Sequence, residues 1–126
     1  MINEKIRERQ QSGREAEQLA CEFLVGKGLR LTERNFRCRH GEIDLIMQHD
    51  DTIVFVEVRY RRHARYGSAL ESITTTKQQR LIRTALHWLQ RQRIGQATGT
   101  RFDVISLQPS PDNGAEIIWI QDAFQA

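Results

Sequence analysis

Only two cysteines occur among the 126 residues, Cys21 and Cys38, and they make neither a metal-ligand spacing nor a disulfide framework. With nothing else pointing to an oxidising compartment, they read as reduced thiols. Long apolar runs are absent: no stretch approaches the roughly 18 continuous apolar residues that span a bilayer. The opening MINEKIRERQQ is charged and polar without an apolar core, so no secretory signal is expected and the cytoplasm is the expected compartment. There is no glycine-rich phosphate loop, which argues against nucleotide binding. The histidines, His40, His49, His63 and His87, lack metal-ligand spacing. Excess charge is modest too, at +3 with a pI near 9.2, well short of a histone-like protein.

What is present suits one modest core and a single domain over residues 1–126, with 39% hydrophobic residues. Ser12-Gly13-Arg14-Glu15 has the form of a capping box and predicts a helix from about residue 13. Ala16, Leu19, Ala20, Phe23 and Leu24 follow at helical spacing, and Gly26 and Gly28 end the run. Residues 1–11 either add a frayed turn or stay disordered. A short strand is predicted within 29–36. The β-branched runs 43–47 and 53–58 flank the turn-like His49-Asp50-Asp51-Thr52 and predict a hairpin. After a loop near Tyr66, the threonines at 74–76 offer N-caps for a second helix reaching about residue 93. Its apolar stripe is Leu81, Ile82, Ala85, Leu86 and Leu89. Two more strands are predicted at 102–107 and 116–120. This order predicts an α/β fold, a mixed sheet with helices packed on it.

Three acids, Glu42, Asp44 and Glu57, interrupt the hairpin. A turn centred between Asp50 and Asp51 sets Asp44 opposite Glu57, and Glu42 opposite Arg59. Two carboxylates that close destabilise a sheet unless a positive charge lies between them. A divalent cation held by oxygen ligands is one answer, and cross-strand ion pairs on a solvent-facing strand are the other. The register carries this inference, since a slip of one residue would put the acids on opposite faces. Basic residues flank the acids on both sides: Arg37, Arg39 and His40 before them, and Arg59, Arg61, Arg62, His63 and Arg65 after. That layout fits a polyanion held beside a metal, or simply a solvated charged surface.

The string D44…E57-V58-R59 resembles the PD-(D/E)xK motif of restriction-endonuclease-like nucleases. GREAEQLA at 13–20, RNFRCRHGEIDLI at 34–46, VFVEVRYR at 54–61, Lys77, RFDVI at 101–105 and WIQDAF at 119–124 together resemble the YraN family of small bacterial proteins, which is distantly similar to archaeal Holliday-junction resolvases. The resemblance implies a restriction-endonuclease-like core, a mixed sheet of about four strands flanked by helices, and a nuclease site dependent on Mg²⁺ or Mn²⁺. Asp44 and Glu57 match the two metal-binding acids, and Glu17 best matches the acid contributed by the first helix. One departure stands out: Arg59 occupies the position of the motif lysine. Arginine keeps its proton and cannot serve as a base, although it can clamp a phosphate. Lys77 at the start of the second helix is the candidate to supply an ammonium instead, against the plainer reading of a surface lysine.

The expected catalytic set is thus Glu17, Asp44, Glu57, Arg59 and Lys77. Arg37, Arg39, His40, Arg61, Arg62 and Arg65 are expected to hold the nucleic-acid backbone. The expected function is hydrolysis of phosphodiester bonds in DNA, branched or single-stranded. A catalytically inactive nucleic-acid-binding module is the alternative, and a protein-interaction adaptor a third. A homodimer would suit a two-fold symmetric junction.

Overall fold

The structure, a computed structural model, describes residues 4–61, 72–94, 98–112 and 114–126, with residues 4–12 described as helix backbone only. Helix α1 (Glu4–Gly26) leads into β1 (Arg30–Cys38), β2 (Gly41–His49) and β3 (Thr52–Tyr60). Then come α2 (Thr75–Arg91), β4 (Gly99–Pro109) and β5 (Ala115–Phe124). The strands form one sheet in the order β1-β2-β3-β4-β5, antiparallel except for the β3–β4 pair, which is parallel. The expected α/β class and mixed sheet are borne out. The sheet has five strands, one for each segment expected from the residues, where the resemblance implied about four.

Helix α1 starts earlier than predicted, and Ser12-Gly13-Arg14-Glu15 lies inside it. The preceding EKIRERQQ is rich in strong helix formers, and their summed propensity outweighs one serine and one glycine. The C-terminal end agrees with the prediction. Gly28 takes φ 97°, Leu29 N–H donates to the Leu24 carbonyl at 3.0 Å, and Gly28 N–H donates to Val25 at 3.0 Å. This paired closure brings Leu24 and Leu29 together, and both are buried.

The two helices cover opposite faces of the sheet. Ala16, Ala20, Cys21 and Leu24 of α1 pack on Leu45, Met47, Val54, Val56, Ile105 and Leu107. The two alanines let the helix backbone approach the strands closely. On the other face, Leu81, Ala85 and Trp88 of α2 pack on Ile46, Ile53, Phe55, Phe102 and Val104. Each fully buried large apolar side chain contributes about 1.5–3 kcal/mol, so β2, β3 and β4 are stabilised from both sides. Leu86, assigned to the apolar stripe from sequence, is instead 51% exposed, and Thr84 takes the buried position. The Thr84 hydroxyl is satisfied there by donating to the Arg80 carbonyl at 2.7 Å. No helix among the described residues is long and apolar enough to cross a membrane.

The register between β2 and β3 is the predicted one. It runs from His49↔Thr52 to Leu45↔Val56 and stops there. Beyond that point β2 continues beside β1 as far as Gly41, and β3 beside β4 as far as Tyr60, so the two strands part into a fork. On β1, Asn35 takes a left-handed backbone (φ 51°) between the Arg34↔Leu45 and Phe36↔Ile43 pairs. Side-chain alternation breaks at this level. Glu33 accepts from Trp88 Nε1 at 3.1 Å, and Phe36 meets the His87 ring at 6.2 Å, so both face α2. Ile43 and Ile46 likewise share the core beneath α2. Asp44 lies at this break, in the mouth of the fork.

Candidate active site at the fork of β2 and β3

Asp44 and Glu57 lie one step beyond the last paired residues of β2 and β3, on the two tines of the fork. Asp44 Oδ2 accepts the Val58 backbone N–H at 2.8 Å, taking a donor that the ladder no longer uses. Its carboxyl is pushed up to about 7, first by burial, then by the charge of Glu57, with Glu17 and Glu42 adding to the effect and the Val58 hydrogen bond opposing it. Glu57 is only 7% exposed. Its Oε1 receives the Lys77 ammonium at 2.9 Å and lies 3.7 Å from Arg59 Nε, the second contact being too long for a hydrogen bond. Arg59 Nη2 donates to the Ser72 carbonyl at 3.1 Å, and its buried Nε has no hydrogen-bond partner among the described residues.

Lys77 reaches Glu57 because α2 begins over the fork. Thr74 is the N-cap, and its hydroxyl accepts the Lys77 backbone N–H at 3.2 Å. Gly41 allows the approach of this helix to β2. It has φ 147°, and a Cβ there would stand 3.2 Å from Thr84 Oγ1. A cavity of about 230 Å³ results, lined by Gly41, Glu42, Asp44, Glu57, Lys77, Arg80 and Leu81. Half-buried Asp44, buried Glu57 and two cations on successive turns of one helix therefore surround one space.

Glu17 is not gathered in as expected. It is half-buried on α1, and its charge acts on Asp44. Among the described residues no three Asp, Glu, His or Cys side chains gather closely enough to hold one metal ion. Glu42 does not face Arg59, because the strands have parted at that level. It pairs across β1–β2 with Arg37 at 3.1 Å, both side chains being largely exposed. Arg39 and His40 form the β1–β2 turn just before Gly41, and the His40 ring lies 6.0 Å from that of His87. Arg61 continues β3, its backbone N–H donating to Leu107 at 2.8 Å. Arg62 and Arg65 lie outside the described residues. Arg80 and Gly41 were not singled out from sequence. The helical i, i+3 spacing of Lys77 and Arg80 was the available signal for the arginine.

The segments RFDVI and WIQDAF have a structural explanation away from the fork. Asp103 is fully buried and accepts from Arg101 Nε at 3.0 Å, Trp119 Nε1 at 2.9 Å and the Asp122 N–H at 2.9 Å. Arg101 also meets His49 Nδ1 at 2.9 Å, joining β4 to β2 as well as to β5.

Residues 16–107 match the family model described as "Uncharacterised protein family UPF0102". The chain belongs to this family. A UPF0102 protein of Nitrosococcus oceani is 53% identical over 114 residues, covering 90% of each chain. One of Pseudomonas syringae pv. syringae is 48% identical over 118 residues, covering 94% of this chain and 96% of its own. UPF0102 membership agrees with the YraN resemblance. The solved structure of Pyrococcus furiosus SfsA in complex with Ca²⁺ is similar at 14% identity and a TM-score of 0.35, over 90% of this chain and 63% of that one. That likeness is too loose to carry a ligand or an activity across.

Proposed function

We propose that this UPF0102 protein is a metal-dependent nuclease that hydrolyses phosphodiester bonds in DNA. The carrying observation is the pair of carboxylates, half-buried Asp44 and buried Glu57, at an open fork beside Lys77 and Arg80. Oxygen donors without thiolate or imidazole suit Mg²⁺ or Mn²⁺, which commonly use one or two protein carboxylates and keep several waters. The rise in the Asp44 pKa fits the same reading, since buried acids lacking a positive partner hold protons in its place. Asp44 and Glu57 would hold the ion, which would supply a water of lowered pKa and neutralise phosphate charge. Lys77 offers a compact ammonium for a phosphate oxygen or the attacking water. Arg59 stays charged and can hold a phosphate oxygen without taking a proton. Arg37, Arg39, His40, Arg61, Arg62 and Arg65 would grip the flanking backbone, with Arg80 at the cavity wall.

Incubating the full chain with branched, single-stranded and duplex DNA in Mg²⁺ or Mn²⁺ tests the proposal. Product should form with the parent and fall about 100-fold or more in Asp44→Asn, the scale of losing a metal ligand. Absence of product from the parent, or equal cleavage by the variant, would make the nuclease assignment wrong. A binding module without turnover is the second reading, favoured by Arg59 in place of lysine and its tether to Ser72. It predicts salt-sensitive DNA binding with no product.

A further inference from the structure

Glu57 has two cations at unequal distances. Lys77 is bonded to it at 2.9 Å, whereas Arg59 Nε stands off at 3.7 Å. The two differ in freedom as well. Arg59 is anchored through Nη2 to Ser72, while the Lys77 side chain is held, among the described residues, at its ammonium end, with 38% of it exposed and four rotatable bonds behind it. Asp44, on the other tine, accepts only the Val58 N–H among the described residues. One acid of the pair is therefore neutralised internally and the other is not.

We propose that Lys77 is a built-in counter-ion that competes with the metal for Glu57 and is released toward the substrate phosphate when the metal binds. This rests on the metal-dependent reading of the site. Asp44 and Glu57 would hold a divalent ion at the carboxylate that now carries the ammonium, and two positive charges on one carboxylate of a half-buried site repel strongly. Lys77 leaves because, of the two cations, it is the one whose side chain carries no second tether among the described residues. Its Cα stays fixed by the Thr74 cap, so the released ammonium remains at the cavity wall beside Arg80. Arg59, standing farther off and held to Ser72 through Nη2, stays in place. Metal binding and the presentation of a lysine to substrate thereby become one event.

Calorimetric titration of Mn²⁺ into metal-free full-length protein tests this. Lys77→Met should bind the ion about tenfold more tightly than the parent, the low end of what one nearby charge does to a carboxylate. Lys77→Arg should stay close to the parent, and Asp44→Asn should lose binding. If Lys77→Met binds equally or more weakly while Asp44→Asn has lost the ion, Lys77 is no competitor and the metal site stands. If the parent itself binds no ion, the metal-dependent reading falls and this proposal with it. A second readout needs no variant: acetylation of the Lys77 amine, followed by mass spectrometry, should run several-fold faster with Mg²⁺ or Mn²⁺ present. Unchanged or slower labelling of the metal-bound parent would overturn the exchange.

Discussion

Asp44 couples the site to pH. In the folded chain burial and the charge of Glu57 push its carboxyl up to about 7, from 3.8 for the free side chain. Folding thus binds a proton between those values, and stability falls as pH rises through that window. The full gap corresponds to about 4 kcal/mol, an upper bound for a group that can relax toward solvent. Asp44→Asn removes this cost while its amide oxygen can still accept the Val58 N–H. In EDTA at pH 8 its Tm should exceed the parent's by about 5 °C or more, and the two should converge near pH 4.5. Calorimetric scans at both pH values check this, and a constant difference would show that Asp44 titrates normally. Sequence alone set Asp44 against Glu57 because both follow from the position of the turn. The break at Asn35 was not legible there, since a left-handed residue inside a strand depends on what both neighbours pack against.

At the scale of elements, the approach of α2 to β2 builds the cavity. Gly41→Ala adds a Cβ at 3.2 Å from Thr84 Oγ1 on a backbone at φ 147°. It should destabilise the fold by about 1–3 kcal/mol. Thr84→Ala removes the atom that the Cβ meets, so the double variant should be less destabilised than the sum by about 0.5–1 kcal/mol. Urea unfolding of the four proteins reads out the cycle. Asp103→Ala takes the carboxylate from Arg101, which keeps His49, and leaves the Trp119 and Asp122 N–H groups without their acceptor; it should cost about 3–5 kcal/mol, with Mn²⁺ binding at the fork retained. Loss of the ion together with stability would tie the two regions into one cooperative unit. Helix limits were partly legible: the closure after Gly26 was, but the capping box at residue 12 was overridden by the helix formers before it.

For the whole molecule, the basic residues on the strand ends and the β1–β2 turn define how DNA would be held. Affinity for a DNA duplex should fall steeply as salt rises, in proportion to the phosphates neutralised. Arg39→Ala should weaken binding to all sequences similarly and reduce the salt slope by about 1. Fluorescence anisotropy across a salt series measures both. A salt-independent affinity would remove nucleic acid as the partner. Charge along the chain made the basic flanks visible, but not that Arg37 is already paired with Glu42, because that pairing needs the β1–β2 register.

The sequence by itself determined the class of fold, the β2–β3 register and the two acids, because periodicity and turn residues act over a few positions along the chain. Only the tertiary structure decided how the acids are neutralised. Lys77 lies twenty residues beyond Glu57, and nothing local says that its helix will cross the sheet above the fork. That crossing depends on the apolar face of α2, the small contact at Gly41 and the cap at Thr74 acting together. The same packing brought the charge of Glu17 to act on Asp44 from the other helix, a relation that spacing along one helix cannot give.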